Sequence, residues 1–312
     1  MQEKNSTEVS EFLLLGFQDL EKLRNVLFLF ILILYLVTLF GNVLTISVIA
    51  TSYLHAPMYF FLCHLSFSDI LLTTNIVPKM LYVIRTERAT ISVTGCFIQI
   101  YFYGFSAAAE CYLLTVMSYD RYLAICRPLR YAAIMDLKLC LFLCVFSWLL
   151  GCLSQLIMVT LISGLIFCGP NAIDHFFCDL APLLDLSCSD TSVLELEVFM
   201  SCLPILLFPF VFIIVTYVHI SIAIHNITSN TGRQKAFSTC SSHLAVVCTY
   251  YGTLMAKYMA PSKGHSLNMN KLLSLLYILG TPIFNPIIYS LRNKEIRAVV
   301  LLYLFSRRTN VL

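Results

Sequence analysis

Asp120 and Arg121 stand side by side in the stretch SYDRYLAIC, Ser118 to Cys126, at the end of a long apolar run. Two adjacent opposite charges in a hydrophobic chain are costly unless something uses them. An acid beside an arginine can hold it in one conformation until another partner competes, which is the chemistry of a two-state switch. An interfacial arginine snorkelling to lipid headgroups would explain one charge but not its neighbour. Four more polar residues, Asn42, Asp69, Glu110 and Asn285, fall inside apolar runs, where such groups are expensive and usually functional. Glu110 lies eleven residues, about three helical turns, before Arg121 and on roughly the same face. If Asp69 and Glu110 face one interior they repel; they can share a cation such as sodium, or one can stay protonated. The alternative for each is a buried polar group bonded to backbone and water. Asn285 precedes Pro286 in FNPIIY, Phe284 to Tyr289. The proline frees a backbone carbonyl and kinks the helix. Asn285 is expected to satisfy that carbonyl or to bridge to Asp69, and Tyr289 to point toward the place where Arg121 ends.

These residues need a scaffold. Of 312 residues, 59% are hydrophobic and only 12% are charged, about half the charge of a soluble domain. Runs of about 20 apolar residues recur, long enough to cross a bilayer as helix. The expectation is an all-α membrane protein with seven spans, roughly 25–50, 57–80, 96–121, 140–163, 196–224, 237–260 and 271–291. No repeat or linker divides the chain. It reads as one domain: an N-terminus over 1–24, a helix bundle over 25–291 and a tail over 292–312. Paired broken helices, the mark of inverted-repeat transporters, are not visible. No secretory signal peptide is visible either, so the first span is expected to insert the chain.

Arg127, Arg130, Lys138, Arg233, Lys235, Arg292, Lys294, Arg297, Arg307 and Arg308 fall on one side of these spans. Lys4, Lys22, Arg24, Arg85, Arg88 and Lys263 fall on the other. The positive-inside rule makes the first side cytoplasmic and the N-terminus extracellular. The sequon Asn5-Ser6-Thr7 then lies outside, where it can be glycosylated, and Asn226-Ile227-Thr228 lies inside, unused. A net charge of +3 is too small to suggest a nucleic-acid partner.

Cys96 opens the third span, and Cys168, Cys178 and Cys188 lie in the long outer loop after the fourth. Outside the cell these should pair. Cys96 with Cys178 and Cys168 with Cys188 is the arrangement proposed, the first bond holding the loop over the bundle as a lid. Four cysteines allow three pairings, and spacing alone does not choose. His175-Phe-Phe-Cys178-Asp179 reads as a metal site only if Cys178 is a thiolate, which a disulfide forbids. No cofactor is implied.

The chain resembles the rhodopsin-like G-protein-coupled receptors and, within them, the olfactory receptors of the tetrapod type, or class II. The resemblance rests on Gly41-Asn42, LHAPMYFFLCHLSFSD from Leu54 to Asp69, and MSYDRYLAIC from Met117. It continues through CGPNAIDHFFCDLAPLLDLSC from Cys168, KAFSTCSSHL from Lys235 and PIFNPIIYSLRN from Pro282. It implies a seven-helix bundle, an odorant as ligand, the stimulatory olfactory Gα as partner, and a place in the cilia of olfactory neurons. It also supports the cysteine pairing above. By analogy Arg121 is the latch that opens to the Gα C-terminus, with Tyr122 beside it. Tyr217, His243 and Tyr289 join the switch set, the two tyrosines swinging toward the arginine. Tyr251 stands where many receptors have another aromatic toggle. Tyr103 stands where amine receptors carry an acid, so an amine anchor is absent there. The tail after Asn293 has no cysteine for palmitoylation.

A bundle of this kind holds its ligand between the third, fifth, sixth and seventh helices. Helical spacing selects Tyr103, Gly104, Ala107, Ala108 and Cys111 on the third, and Ser201 and Ile205 on the fifth. It selects Tyr251, Leu254, Met255 and Tyr258 on the sixth, and Leu275, Ile278 and Leu279 on the seventh. Ordinary helix packing is the competing explanation for each. Together they describe an apolar, aromatic pocket with a few hydroxyls and no strong charge, suited to a small neutral molecule. A transporter or channel would need a continuous polar path. A membrane-embedded enzyme would need paired catalytic groups, and Asp69 with Glu110 is the only carboxylate pair.

Overall fold

The structure, a computed structural model, describes residues 9–17, 22–51, 56–168, 170–259, 267–288 and 296–299. Asn5 and Tyr289, and the side chain of Tyr258, lie outside the described residues. In chain order the elements are β1 (Glu11–Leu14), α1 (Arg24–Thr51), α2 (Pro57–Thr86), β2 (Ala89–Ser92) and α3 (Val93–Cys126). Then come α4 (Pro128–Ile134), α5 (Leu137–Ser163), β3 (Ala172–Ile173), α6 (Leu180–Leu184), α7 (Ser192–Cys202) and α8 (Phe208–His225). The described chain continues with α9 (Asn230–Met259), α10 (Leu267–Leu275) and α11 (Thr281–Pro286).

Five described spans are long and apolar enough to cross a membrane: α1, α2, α3, α5 and the continuous run Ser192–His225. That run joins α7 to α8 through a π-helical turn at Leu203–Leu207, where Pro204 and Pro209 leave backbone acceptors without amide partners. The sixth span, α9, opens on the polar run Asn230–Gln234. The seventh is α10 and α11 joined by a second π-helical turn at Leu276–Gly280. The bundle is therefore the seven-span one expected, with its helices extending beyond the apolar stretches at several ends.

Burial runs against the habit of soluble helices. In α1 the inward face carries Thr38, Asn42 and Thr45, while Phe40 is 70% exposed on the other side. Lipid is as apolar as the core, so in α1 these polar residues mark the helix interface, beside buried Ile31, Val48 and Ile49. Chain ends of helices are fixed locally. Ser92 accepts from the Gly95 amide to start α3, and Asp136 accepts from the Leu139 amide to start α5. Pro57 and Pro128 open α2 and α4, where a missing amide costs nothing.

The outer face carries a small sheet in the order β2-β1-β3. β1 runs antiparallel to β2, Glu11 opposite Ser92, and parallel to β3, Leu13 opposite Ala172. Phe12 and Leu14 are fully buried beneath it, and Phe17 stacks on Phe176 at 5.3 Å. The N-terminal segment is thus threaded between the first and second outer loops. The cystines are Cys96–Cys178, Cα atoms 5.4 Å apart, and Cys168–Cys188, Cα atoms 5.9 Å apart.

Candidate switch and ligand site

The cytoplasmic end of α3 holds the candidate latch residues in an ion pair. Asp120 is fully buried and lies 3.0 Å from the Arg121 guanidinium. Its other carboxylate oxygen accepts from the Tyr131 hydroxyl of α4 at 2.7 Å. Arg121 is held, and α4 helps to hold it. Tyr122 stacks on Tyr119 and packs edge-on to His219 of α8. Tyr217 of α8 meets His243 of α9 at 2.7 Å between hydroxyl and Nδ1, their rings nearly parallel. Both are buried, so these two helices are joined at the level of the latch.

Higher in the bundle, Asn285 resolves the choice left open by the sequence. Its amide donates to both Asp69 oxygens, at 3.0 and 2.9 Å. The carbonyl released by Pro286 is that of Pro282, and it accepts from Asn42 at 3.1 Å instead. Asn42 also bonds Thr38 within α1, so one amide ties the first span to the seventh. Gly41 lets the ring come close beside it: a Cβ there would stand 3.1 Å from the Pro286 ring, so the ring would have to give way slightly. Glu110 is fully buried, and among the described residues neither of its carboxylate oxygens has a hydrogen-bond partner. Asp69 of α2 and Glu110 of α3 are both fully buried. Ser106 nearby on α3 also keeps an unpartnered hydroxyl.

The lid is built on α3. Cys178 is tied to Cys96, and its amide donates to Gln99 Oε1 at 2.9 Å. Gln99 and Asn75 exchange side-chain amides for each other's carbonyls, locking α3 to α2. Since Cys178 is in a disulfide, it cannot serve as a metal-binding thiolate, and His175 faces charges instead. His175 is 2% exposed; burial above all pushes its imidazole down to about 3, so it is neutral at pH 7. Burial would raise the Asp179 carboxyl, but the charge and hydrogen bond of Lys257, with the Leu180 amide, outweigh it and hold the group below its usual range.

The expected ligand stripe divides. Tyr103 packs on Tyr277 and Phe177, with ring centres 5.8 and 5.4 Å away. Ala107 gives its carbonyl to the Tyr250 hydroxyl at 2.6 Å, and the Cys111 thiol lies 3.3 Å from that hydroxyl. Tyr251 and Leu254 are buried, Met255 is half-buried, and Tyr251 packs on Phe210 of α8. Ile278 and Leu279 are buried, Leu275 and Ile205 are partly buried against the core, and Ser201 donates to Glu197. Gly104 and Ala108 sit elsewhere: a Cβ on Gly104 would collide with Gln155 of α5, and Ala108 packs against Gly151. They face the fourth span, because α3 is crossed so closely by α5 that only small residues fit there.

The absence of strong charge is a second expectation to correct. Lys257 of α9 reaches Asp179 at 3.0 Å and donates to the Tyr103 hydroxyl at 2.9 Å. Lys271 of α10 reaches Asp174 and the Gly16 carbonyl, both at 2.6 Å. Sequence reading also passed over Tyr250, Tyr277 and Tyr131. The first two follow the same helical spacing as their neighbours; Tyr131 lies outside every apolar run and gave no signal.

A family profile described as olfactory receptor matches residues 30–307. Olfactory receptor 10A7 of Homo sapiens is 46% identical over 298 residues, covering 95% of this chain and 94% of that protein. Olfactory receptor 5G29 of Mus musculus is 48% identical over 298 residues, covering 95% of each. The crystal structure of squid rhodopsin superposes with a TM-score of 0.73 at 17% identity, covering 89% of this chain and 80% of that one, which shows a shared fold.

Proposed function

The chain belongs to the olfactory receptor family, and on that footing we propose that it binds a small, largely apolar, neutral odorant in the helix bundle and raises cAMP through the stimulatory olfactory Gα. It is a multi-pass membrane receptor and not an enzyme. Its proposed place is the plasma membrane of olfactory cilia. The observation that carries the reading is the closed latch: Asp120, buried, occupied by Arg121 on one oxygen and Tyr131 on the other. A buried acid with two partners holds a cation in reserve, and a Gα C-terminus that competes for Arg121 would release it.

The ligand site in this reading lies at the tyrosine-rich cluster of Tyr103, Cys111, Tyr251, Leu254 and Ile278. Odorant contact there would shift α9 against α8, loosening the Tyr217–His243 bond next to the latch. Asp69 and Glu110 would hold a sodium ion or one proton between α2 and α3. Such a bound charge cancels their repulsion and favours one packing of the seventh span through Asn285. Asn5 would carry the glycan. The test is cAMP accumulation in cells expressing the chain against a panel of odorants, beside Arg121→Ala at matched surface level. An odorant-dependent rise that is lost in the variant is expected; no rise for any odorant would count against the reading.

A further inference from the structure

Two lysines grip opposite ends of one six-residue stretch of the lid. Lys257, near the outer end of α9, pairs with Asp179 at 3.0 Å. Lys271, on α10, pairs with Asp174 at 2.6 Å and also donates to Gly16 beyond β1. Between the two acids lie His175, Phe176 and Phe177, all buried, and Cys178, bonded to α3. The third, sixth and seventh spans therefore hold the same short segment.

α9 is continuous from Asn230 to Met259. Its inner part carries His243, bonded to Tyr217, and its outer end carries Lys257, roughly 21 Å away along the axis. A rigid helix cannot tilt at one end without moving the other. We propose that the Lys257–Asp179 pair restrains α9 in the arrangement that keeps the latch closed, with Lys271–Asp174 fixing the lid it pulls against. Lys257 and Asp179 are positioning residues, and the inference rests on the receptor reading above.

The geometry suits a restraint. The two side chains are 8% and 15% exposed, so salt screens their attraction little. The ammonium also lies 4.8 Å from the Tyr103 ring centre and 5.4 Å from that of Phe177. Cation–π contacts fade within a few ångströms. One position of the α9 end therefore satisfies Asp179, the Tyr103 hydroxyl and both rings together.

The deciding variant is Lys257→Met with Asp179→Asn, which removes the charge and keeps the acceptor for the Leu180 amide. Removing both charges leaves no unpaired buried ion, so the fold should be kept. Basal cAMP at matched surface level should rise about fivefold, the low end of an ordinary coupling between sites. The charge swap, Lys257→Asp with Asp179→Lys, should bring it back toward the parent. Unchanged basal output in the double variant, or a swap no quieter than it, overturns the restraint. Asp120→Asn separates this from the receptor reading: if it raises basal cAMP and the double variant does not, the inference fails and the reading stands. If Asp120→Asn and every odorant leave cAMP flat, the receptor reading fails. Hydrogen exchange of the purified protein then decides the restraint. Faster exchange around His243 in the double variant supports it, and unchanged exchange there overturns it.

Discussion

Asn42 donates its side-chain amide to the Pro282 carbonyl at 3.1 Å, and that carbonyl is the one Pro286, four residues on, cannot serve because it has no amide hydrogen. The proline of one span is thus completed by an amide from another. Gly41 leaves room for the ring to approach. The Gly-Asn pair in the first span and the Asn-Pro pair in the seventh are two halves of one joint.

Asn42→Leu strands that carbonyl in a site with no exposure. An unsatisfied buried acceptor costs about 1–3 kcal/mol. The thermal midpoint of the solubilised receptor should fall accordingly. A midpoint equal to the parent's would mean that another donor serves Pro282.

Gly104 lies against Gln155, so its replacement should act on packing rather than on ligand. Gly104→Leu should lower thermal stability by about 1–3 kcal/mol through overpacking. Gln155→Ala in the same chain should recover part of the loss. Odorant potency at matched surface level should not change. A shift in potency that Gln155→Ala fails to correct would place Gly104 in the ligand site after all.

The candidate switch residues stand out in the sequence because their signals are local. Asp120-Arg121 and Asn285-Pro286 are adjacent in the chain, and an acid such as Asp69 or Glu110 stands out in an apolar run whatever its rotation. The sidedness of α3 was less legible. Gly104 and Ala108 share a stripe with Tyr103 and Ala107 by spacing, and only the close crossing of α5 turns them toward Gln155 and Gly151. Lys257 and Lys271 lie at the outer ends of their spans, where a lysine reads as an interfacial residue. Their acids are more than 75 residues away in the chain, and the lid fold alone brings them together. β1 carries only EFLL, four residues whose partners come from two distant loops.

The lid should weaken in acid. His175 has an ordinary value of 6.5 and is pushed down to about 3 by burial. A group depressed on folding is protonated first in the opened state. Its contribution is complete above pH 6.5 and is lost as pH falls toward 3. Asp179, also held low, adds to the loss only below its ordinary value of 3.8. From pH 7 to 5 the loss from His175 is about 2 kcal/mol. Hydrogen exchange over residues 172–179, corrected for the intrinsic rate, should show it. His175→Phe should flatten the dependence; an unaltered pH profile in that variant would assign it to another group.

Asp69 and Glu110 should behave as one unit. Asp69→Asn and Glu110→Gln each remove one of two repelling carboxylates. A double-mutant cycle on basal and odorant-stimulated cAMP, at matched surface level, reads their coupling. Non-additivity above about 0.5 kcal/mol supports a shared cation or proton. Simple addition of the two effects would mean that they act separately.

In the proposed mechanism Arg121, released from Asp120, engages a Gα subunit when odorant binds. The direct measurement is nucleotide exchange on purified stimulatory Gα by the purified receptor, with and without an activating odorant, for the parent and Arg121→Ala. The parent should show odorant-accelerated exchange and the variant none, with odorant binding retained in both. Equal acceleration by Arg121→Ala, or none by the parent while it binds odorant, would contradict it.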